Sequence, residues 1–343
     1  MKHLKRYREL FESSTSLSQE QIKWLDKCTK GKRTLNPDTG LIDIDGDFDC
    51  SAGNLIHSLS VNFGVVTGNF NCSDNSLSSL VGAPQEVGGD FLCYRNMHIT
   101  SLEGAPRRVG GDFDCSANKI KSLLEGPQIV GGSYICEDNK LTDLKGVPEE
   151  VSGDLHCSGN DLVNLEGAPR KVGRDLTCQL NGMKSLKGGP VEIGESFDCS
   201  WNALVTLEGA PKKINRYFDC SHNQLKNLKG GPTEIGWTFI CNKNELNSLE
   251  GRAKIIGHSK EYQERTNVGK VPIEYYSFNS NKGVSSETLK MISKEMDKGI
   301  NYLDAIKNLY VVIPKSDWEL LDKSGLDMND KFFKGGSLLR RFS

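Results

Sequence analysis

Ten of the chain's eleven cysteines recur at a nearly constant interval along its 343 residues. The successive gaps are 22, 21 and 22 residues, and every later gap is 21. A fixed period of roughly this length is typical of a repeat array in which each repeat forms one rung of a solenoid. We therefore predict a ten-rung solenoid over residues 41–257. The rung cysteines are Cys50, Cys72, Cys93, Cys115, Cys136, Cys157, Cys178, Cys199, Cys220 and Cys241.

Each rung cysteine lies in a short alternating pattern, for example Asp112-Phe113-Asp114-Cys115. Because side chains alternate across a strand, Phe113 and Cys115 are expected to face the core and the two aspartates to face outward. The pattern predicts one parallel β-strand per rung, forming a sheet on the concave face of the solenoid. An asparagine three residues after most cysteines, such as Asn118, is expected to hydrogen-bond to the backbone of the neighbouring rung.

A proline corner ends most repeats, as in Gly-Ala-Pro at residues 104–106. Proline fixes one backbone dihedral and removes a hydrogen-bond donor, which suits a turn better than a helix. The convex side is therefore predicted to be mostly loop and turn.

Three roles were considered for the cysteines: buried apolar side chains, a disulfide ladder, or metal ligands. Side chains in register on parallel strands point the same way, which does not favour disulfides. Their expected inward neighbours are phenylalanine, leucine and isoleucine, which do not bind metals. The favoured role is a buried apolar side chain, and no metal site or cofactor is predicted.

Both flanks of the array carry helix signals suited to capping its ends. Residues 1–40 are predicted to form an N-terminal helical cap, in which Ser18 and Gln21 form a capping box. Residues 258–343 are predicted to form a small C-terminal helical domain of three helices, the first over residues 286–298. No run of 18 apolar residues and no apolar signal core is present, so a cytoplasmic protein without membrane contact is expected.

Charge favours a protein partner over nucleic acid. Residues 41–255 carry 28 acidic and 20 basic side chains, a net charge of −8, and aspartates dominate the outward strand positions. Such a face attracts a basic protein surface and repels phosphate. No catalytic motif assembles a nucleophile with a base, so the chain is predicted not to be an enzyme.

Outward residues that depart from the repeat pattern are the better candidates for binding, since the repeat itself does not require them. Aromatic and arginine side chains at such positions are typical of interaction hot spots. The predicted partner-binding residues combine these departures with the outward aspartates. They are Asp90, Leu92, Tyr94, Arg95, Asp112, Asp114, Ile135, Asp154, His156, Asp175, Asp198, Trp201, Tyr217, Asp219, His222 and Ile240.

Segments 24–31 and 36–50, together with repeats such as Ser-Leu-Glu-Gly-Ala-Pro at 101–106, resemble short leucine-rich repeat proteins encoded by large tailed bacteriophages. The resemblance covers roughly the first three quarters of the chain. It implies a protein of the infected bacterial cytoplasm that binds a host or phage protein. The expected function is to inhibit or redirect a host factor, such as a defence protein. The alternative is a structural or assembly component of the phage particle.

Overall fold

The structure is a computed structural model, and it describes residues 17–256 with the exception of 52–54, 238, 242, 247–249, 252 and 254, together with the strand Tyr276–Ser277. The chain forms two compact units, Met1–Asp154 and Leu155–Ser343. The predicted C-terminal helices and the first 16 residues lie outside the described residues. No helix within the described part is long and apolar enough to cross a membrane.

The N-terminal segment contains the predicted helix and, unexpectedly, a strand. The helix Gln19–Cys28 begins at Ser18, and the predicted capping box with Gln21 is present. The strand Thr29–Leu35 follows and pairs antiparallel with the strand Ile42–Asp49 along its whole length. The prediction of a purely helical cap was therefore wrong for this stretch, because an exposed, charged edge strand carries little apolar alternation to reveal it.

The strands that lead into the cysteines form the cysteine sheet, and they are parallel from rung to rung as predicted. In the first unit they are Ile42–Asp49, Phe70–Asn71, Phe91–Leu92, Phe113–Asp114 and Tyr134–Ile135. In the second unit they are Leu155–His156, Leu176–Thr177, Phe197–Asp198, Phe218–Asp219 and Phe239–Ile240. The strand Tyr276–Ser277, which no cysteine follows, pairs parallel with Phe239–Ile240 and continues the sheet.

A second set of parallel strands, which was not predicted, follows the proline corners on the side expected to be mostly loop and turn. We name this set the valine sheet, after the buried valine or isoleucine that ends most of its strands. Hydrogen bonds divide the set into three groups, and the first group joins the cysteine sheet through the strand Ile42–Asp49. In the first unit its strands are Phe63–Val66, Glu86–Val87, Arg108–Val109, Ile129–Val130 and Glu150–Val151. In the second unit they are Lys171–Val172, Glu192–Ile193, Lys213–Ile214, Glu234–Ile235 and Ile255–Ile256. Most of these strands have two residues, which is too short for periodicity to reveal them.

Stacked aromatic rings and thiols fill the core, as the alternation predicted. In the first unit the rings of Phe70, Phe91 and Phe113 stack at centroid distances of 5.5 and 5.8 Å. Trp24 of the helix packs edge-on against Phe48 at 5.2 Å and covers that end of the stack. All eleven cysteines are buried free thiols, which confirms the apolar role.

The asparagines after the cysteines tie each rung to the one before it, as predicted. The amide Nδ2 of Asn118 donates to the carbonyls of Cys115 at 2.9 Å and of Cys93, one rung earlier, at 3.1 Å. Its Oδ1 accepts the N–H of Asn96 at 2.8 Å. This side chain therefore satisfies buried backbone groups that the bend would otherwise leave without partners.

Candidate functional site

The sixteen predicted partner-binding residues are all half-buried or exposed, and none belongs to the core. They divide equally between the units. Those from Asp90 to Asp154 lie in the first unit and those from His156 to Ile240 in the second. Their exposure is compatible with contact to a partner, and their role in binding stays a prediction.

Several of the outward aspartates of the first unit have a structural task that the sequence did not reveal. Asp90 Oδ1 accepts the N–H of Asp112 at 2.8 Å, and Asp112 Oδ1 accepts the N–H of Ser133 at 2.6 Å. A Cβ at Gly111 would overlap Asp90 Oδ1. The recurring Gly-Gly-Asp string therefore forms one structural element, in which the glycine makes room for the carboxylate of the preceding rung.

A second group of aspartates closes the turn after each strand. Asp114 Oδ1 accepts both the N–H of Ser116 at 2.9 Å and its hydroxyl at 2.6 Å. Asp198 and Asp219 accept the N–H groups of Ser200 and Ser221 in the same way. The recurring Asp-Cys-Ser string was the available signal for these turns. Part of the acidic face is thus explained by folding alone.

Three candidates, Arg95, Trp201 and His222, lie in a column of residues with left-handed backbone, immediately before the ladder asparagines. Their φ angles are 53°, 54° and 54°. Non-glycine residues adopt this conformation at a cost in free energy. The column continues through Asp74, Ala117, Asp138, Gly159, Leu180 and Lys243.

Two of these residues form an aromatic stack on the surface of the second unit. The rings of Trp201 and His222 lie 3.7 Å apart, at an interplanar angle of 12°. Trp201 is nevertheless 53% exposed. Burial lowers the pKa of His222, and the nearby Lys243 lowers it further, so both effects favour the neutral ring.

The second unit also presents a charged column that the predicted set missed. Arg174, Glu195, Arg216 and Trp237 each stand four residues before a rung cysteine, where the first unit has glycine. Arg216 Nη1 lies 2.7 Å from Glu195 Oε2, and its guanidinium lies 5.0 Å from the centroid of the Trp237 ring. The signal in the sequence was the loss of the second glycine of Gly-Gly-Asp.

Tyr217 lies beside this column and close to several carboxylates. Its side chain is outward and 37% exposed. Burial raises the pKa of Tyr217, the carboxylates of Asp175, Asp198 and Asp219 raise it further, and the Ser196 hydroxyl opposes them. In the same sheet His156 Nδ1 lies 2.8 Å from Thr177 Oγ1.

Two kinds of chemical site were considered for the described residues, metal-binding clusters and reactive thiols. They contain no cluster of three or more His, Cys, Asp or Glu side chains able to hold a metal ion. The thiols are poor nucleophiles, because burial raises the pKa of Cys72 to about 12 and moves those of several other rung cysteines in the same direction.

No protein-family model matches the chain, and no curated protein matches it. Among solved structures the chain is similar to YopM from Yersinia enterocolitica WA-314, with 14% sequence identity and a TM-score of 0.37. That similarity covers 75% of this chain and 72% of the other. The assignment of this chain as a parallel-strand solenoid follows from its own strand register, buried core and asparagine ladder.

Proposed function

We propose that this chain is a protein-binding module, and that the outward face of the cysteine sheet in the second unit contacts the partner. The observation that carries the proposal is the exposed Trp201, stacked on His222. The repeat does not require a tryptophan there, since Ala117 and Asp138 occupy the same position in the first unit.

Exposed aromatic side chains favour association, because a partner that covers them removes apolar surface from water. Tryptophan, tyrosine and arginine also dominate interaction hot spots. Stacking on His222 restricts the Trp201 ring before binding, so less side-chain entropy is lost when a partner is bound. Tyr217 adds a second exposed ring on the same sheet.

The first unit supports this function as a scaffold. Asp90 and Asp112 bind backbone N–H groups of neighbouring rungs, so reversing their charge would damage the fold together with any interface. The net charge of −8 over residues 41–255 favours a partner with a basic surface. The resemblance to phage-encoded repeat proteins supports a host bacterial protein as the partner, inhibited or redirected in the host cytoplasm.

Affinity capture from a bacterial lysate, followed by mass spectrometry, tests the proposal. The variant Trp201→Ser/Tyr217→Ser removes two exposed rings that flank strands of the cysteine sheet, since Trp201 follows Phe197–Asp198 and Tyr217 directly precedes Phe218–Asp219. The matched control Val163→Ser/Val205→Ser removes two exposed apolar side chains of the same unit that do not flank these strands. A protein retained by the unmodified chain and by the control, and lost with the ring variant, supports the proposal. Equal capture by all three chains, or capture of no protein, contradicts it.

A further inference from the structure

The chain contains a single Asn-Gly pair, and it lies in the asparagine ladder of the second unit. Asn181 is the ladder residue of the rung that contains Cys178, and Gly182 follows it. Every other ladder asparagine precedes a residue with a side chain, such as Lys119 in the first unit and Ala203 in the second. An asparagine that precedes glycine is chemically labile, because glycine leaves its backbone nitrogen unshielded and its backbone is free to bend toward the amide.

Deamidation of an Asn-Gly pair is an intramolecular reaction that also consumes water. The backbone nitrogen of the glycine gives its proton to a base in the solvent and attacks Cγ of the asparagine. The Cγ–Nδ2 bond breaks, and the leaving nitrogen takes a proton from solvent and departs as ammonia. Water then opens the resulting cyclic imide at either of its carbonyl carbons. The products are aspartate, or isoaspartate with the main chain passing through Cβ.

The second unit exposes this pair more than most of the ladder. Asn181 and Asn202 are half-buried, whereas the other seven ladder asparagines are buried. Gly182 is exposed, and among the described residues a Cβ built at this position would meet only the carbonyl oxygen of Leu162, at 3.9 Å. The base and the water that the reaction requires therefore reach the Gly182 nitrogen from the solvent.

The attacking nitrogen is also held less tightly than its counterparts at Lys119 and Ala203. The N–H of Gly182 donates to the Leu162 carbonyl at 3.2 Å, whereas the N–H groups of Lys119 and Ala203 donate to carbonyls of the preceding rung at 3.0 Å. Hydrogen bonds weaken as they lengthen. Local opening of the rung, which frees this nitrogen and the Asn181 side chain together, therefore costs less free energy here.

Loss of the Asn181 amide removes hydrogen bonds that tie two rungs together. Its Nδ2 donates to the carbonyl oxygens of Cys157, Cys178 and Gln179 at 3.2, 3.1 and 3.0 Å. A carboxylate has no hydrogen to donate, and its negative charge would lie against these oxygens. The carbonyls of Cys157 and Cys178 each keep one other amide donor, so the rung is weakened and not abolished. Isoaspartate would also lengthen the main chain by one carbon.

We propose that Asn181 is a site of spontaneous deamidation, and that its conversion to aspartate or isoaspartate weakens the asparagine ladder of the second unit. The same rung presents Leu180, an exposed member of the left-handed column that includes Trp201. The inference does not depend on the proposed function, since it follows from the chemistry and the hydrogen bonds of Asn181.

Incubation of the full chain at physiological temperature in a mildly alkaline buffer tests the site. Peptide mapping by mass spectrometry locates each converted asparagine, and enzymatic methylation detects isoaspartate. We expect conversion at Asn181 before any other ladder asparagine. Gly182→Ala introduces the residue type that follows Asn202 and fits the space available, and it should remove this conversion. No conversion at Asn181 in the unmodified chain, or unchanged conversion in Gly182→Ala, would overturn the proposal.

Two matched variants separate the contribution of the structure from that of the sequence. Ala203→Gly places a second pair at the half-buried Asn202, and Lys119→Gly places one at the buried Asn118. In the folded chain we expect conversion at Asn202 and little at Asn118, whereas in urea both should convert as readily as Asn181. Equal conversion at Asn118 and Asn202 in the folded chain would contradict the protective role of burial.

Asn181→Asp reproduces the aspartate product and tests its effect on the fold. Because its carboxylate cannot donate to the three carbonyls, the melting temperature should fall by roughly 4 °C. The control Val163→Asp adds the same charge at an exposed side chain of the preceding rung, and it should change the melting temperature by less than about 2 °C. Equal melting temperatures for Asn181→Asp and the unmodified chain would overturn the weakening of the ladder.

Discussion

In the first unit, the residue four positions before each rung cysteine is glycine, whereas in the second unit that position holds Arg174, Glu195, Arg216 or Trp237. Gly68, Gly111 and Gly132 leave room for an aspartate carboxylate of the preceding rung, which accepts the backbone N–H of the next residue and so ties neighbouring rungs together. In the second unit the Ser196 N–H donates such a bond to Asp175, and it is the last one among the described residues. Beyond it, the outer edge displays Tyr217 and the Arg216 ion pair.

The outer edge of each rung, by which we mean the residues three and four positions before the rung cysteine, has different roles in the two units. In the first unit the edge bonds to the backbone and contributes to stability. In the second unit it presents large side chains to solvent. The core and the asparagine ladder are common to both units, so the outer edge can change while the fold is kept.

The largest expected effect tests what the two units share. Asn118→Ala removes one of the two amide donors to each of the buried carbonyls of Cys93 and Cys115 and takes the acceptor from the buried N–H of Asn96, and we expect a loss of about 3 kcal/mol in the free energy of unfolding. Asn202→Ala removes the equivalent bonds at a half-buried position, where water replaces part of them, and should cost about 2 kcal/mol. Urea unfolding measures both. If Asn202→Ala lost more free energy of unfolding than Asn118→Ala, the explanation by burial would be contradicted.

The second-largest expected loss of stability concerns the outer edge, at the position four residues before the rung cysteine. Gly111→Ala places a methyl group against Asp90 Oδ1 and the backbone of Gly89, and should cost about 1–2 kcal/mol. Glu195→Ala, at the same register position, keeps Cβ and loses only the partly exposed ion pair with Arg216, so the change should be below about 1 kcal/mol. Thermal unfolding compares the two variants. Equal losses would show that the units do not differ at this edge.

Two tyrosines provide a third contrast. The hydroxyl of Tyr134 is buried in the first unit without a hydrogen bond to the described residues, so Tyr134→Phe should raise the free energy of unfolding by about 1 kcal/mol. Tyr217→Phe alters an exposed outward ring, and a change within about half a kcal/mol is expected. Destabilisation by Tyr134→Phe would show that its hydroxyl has a partner.

The smallest effect is a difference in pH dependence between two aspartates of the same register. Burial raises the pKa of Asp219, so the stability that its protonated form contributes is lost as pH rises through that raised value. Burial also acts to raise the pKa of Asp49, but hydrogen bonds from Ser51 and the Lys30 ammonium lower it overall. Asp49 therefore stabilises the fold at neutral pH, and this contribution is lost as pH falls through the lowered value.

Accordingly, Asp219→Asn should raise stability at pH 7 and Asp49→Asn should lower it, each by about half a kcal/mol or less. The Asp219→Asn difference should shrink as the pH approaches about 3, where a carboxyl group of raised pKa is largely protonated. The Asp49→Asn difference should shrink less at that pH, because the lowered pKa of Asp49 keeps more of its carboxylate ionised. Urea unfolding at the two pH values measures them. Changes of the same sign at pH 7 would contradict the opposite pKa shifts.

Sequence reasoning predicted the features that recur from rung to rung because packing or backbone hydrogen bonding requires them. Alternation placed Phe113 and Cys115 inward, and the asparagine after each cysteine was assigned to the bend. The two-residue strands of the valine sheet carry too few side chains to show a period, and the strand Thr29–Leu35 is stabilised by pairing with a neighbour rather than by its own pattern.

The outer edge was harder to predict, because an outward aspartate has the same signature whether it faces solvent or binds a backbone N–H. Only the position of Asp90 Oδ1 against Gly111 reveals that the pair acts together. Once that contact is known, the replacement of glycine by Arg216 can be recognised as a departure from the repeat. The candidates Trp201 and Tyr217 were found because they depart from the repeat, whereas Arg216 and Trp237 belong to a column that was not considered.

The left-handed column has a practical consequence for engineering. Seven residue types share its backbone conformation, namely alanine, aspartate, arginine, leucine, tryptophan, histidine and lysine. The conformation is therefore set by the hydrogen bonds of the rung and not by the identity of the side chain. A library randomised at positions 74, 95, 117 and 138 should keep its scaffold provided that valine, isoleucine and threonine, which this conformation disfavours, are omitted. The protein thus offers a ready-made display site for selecting new binders.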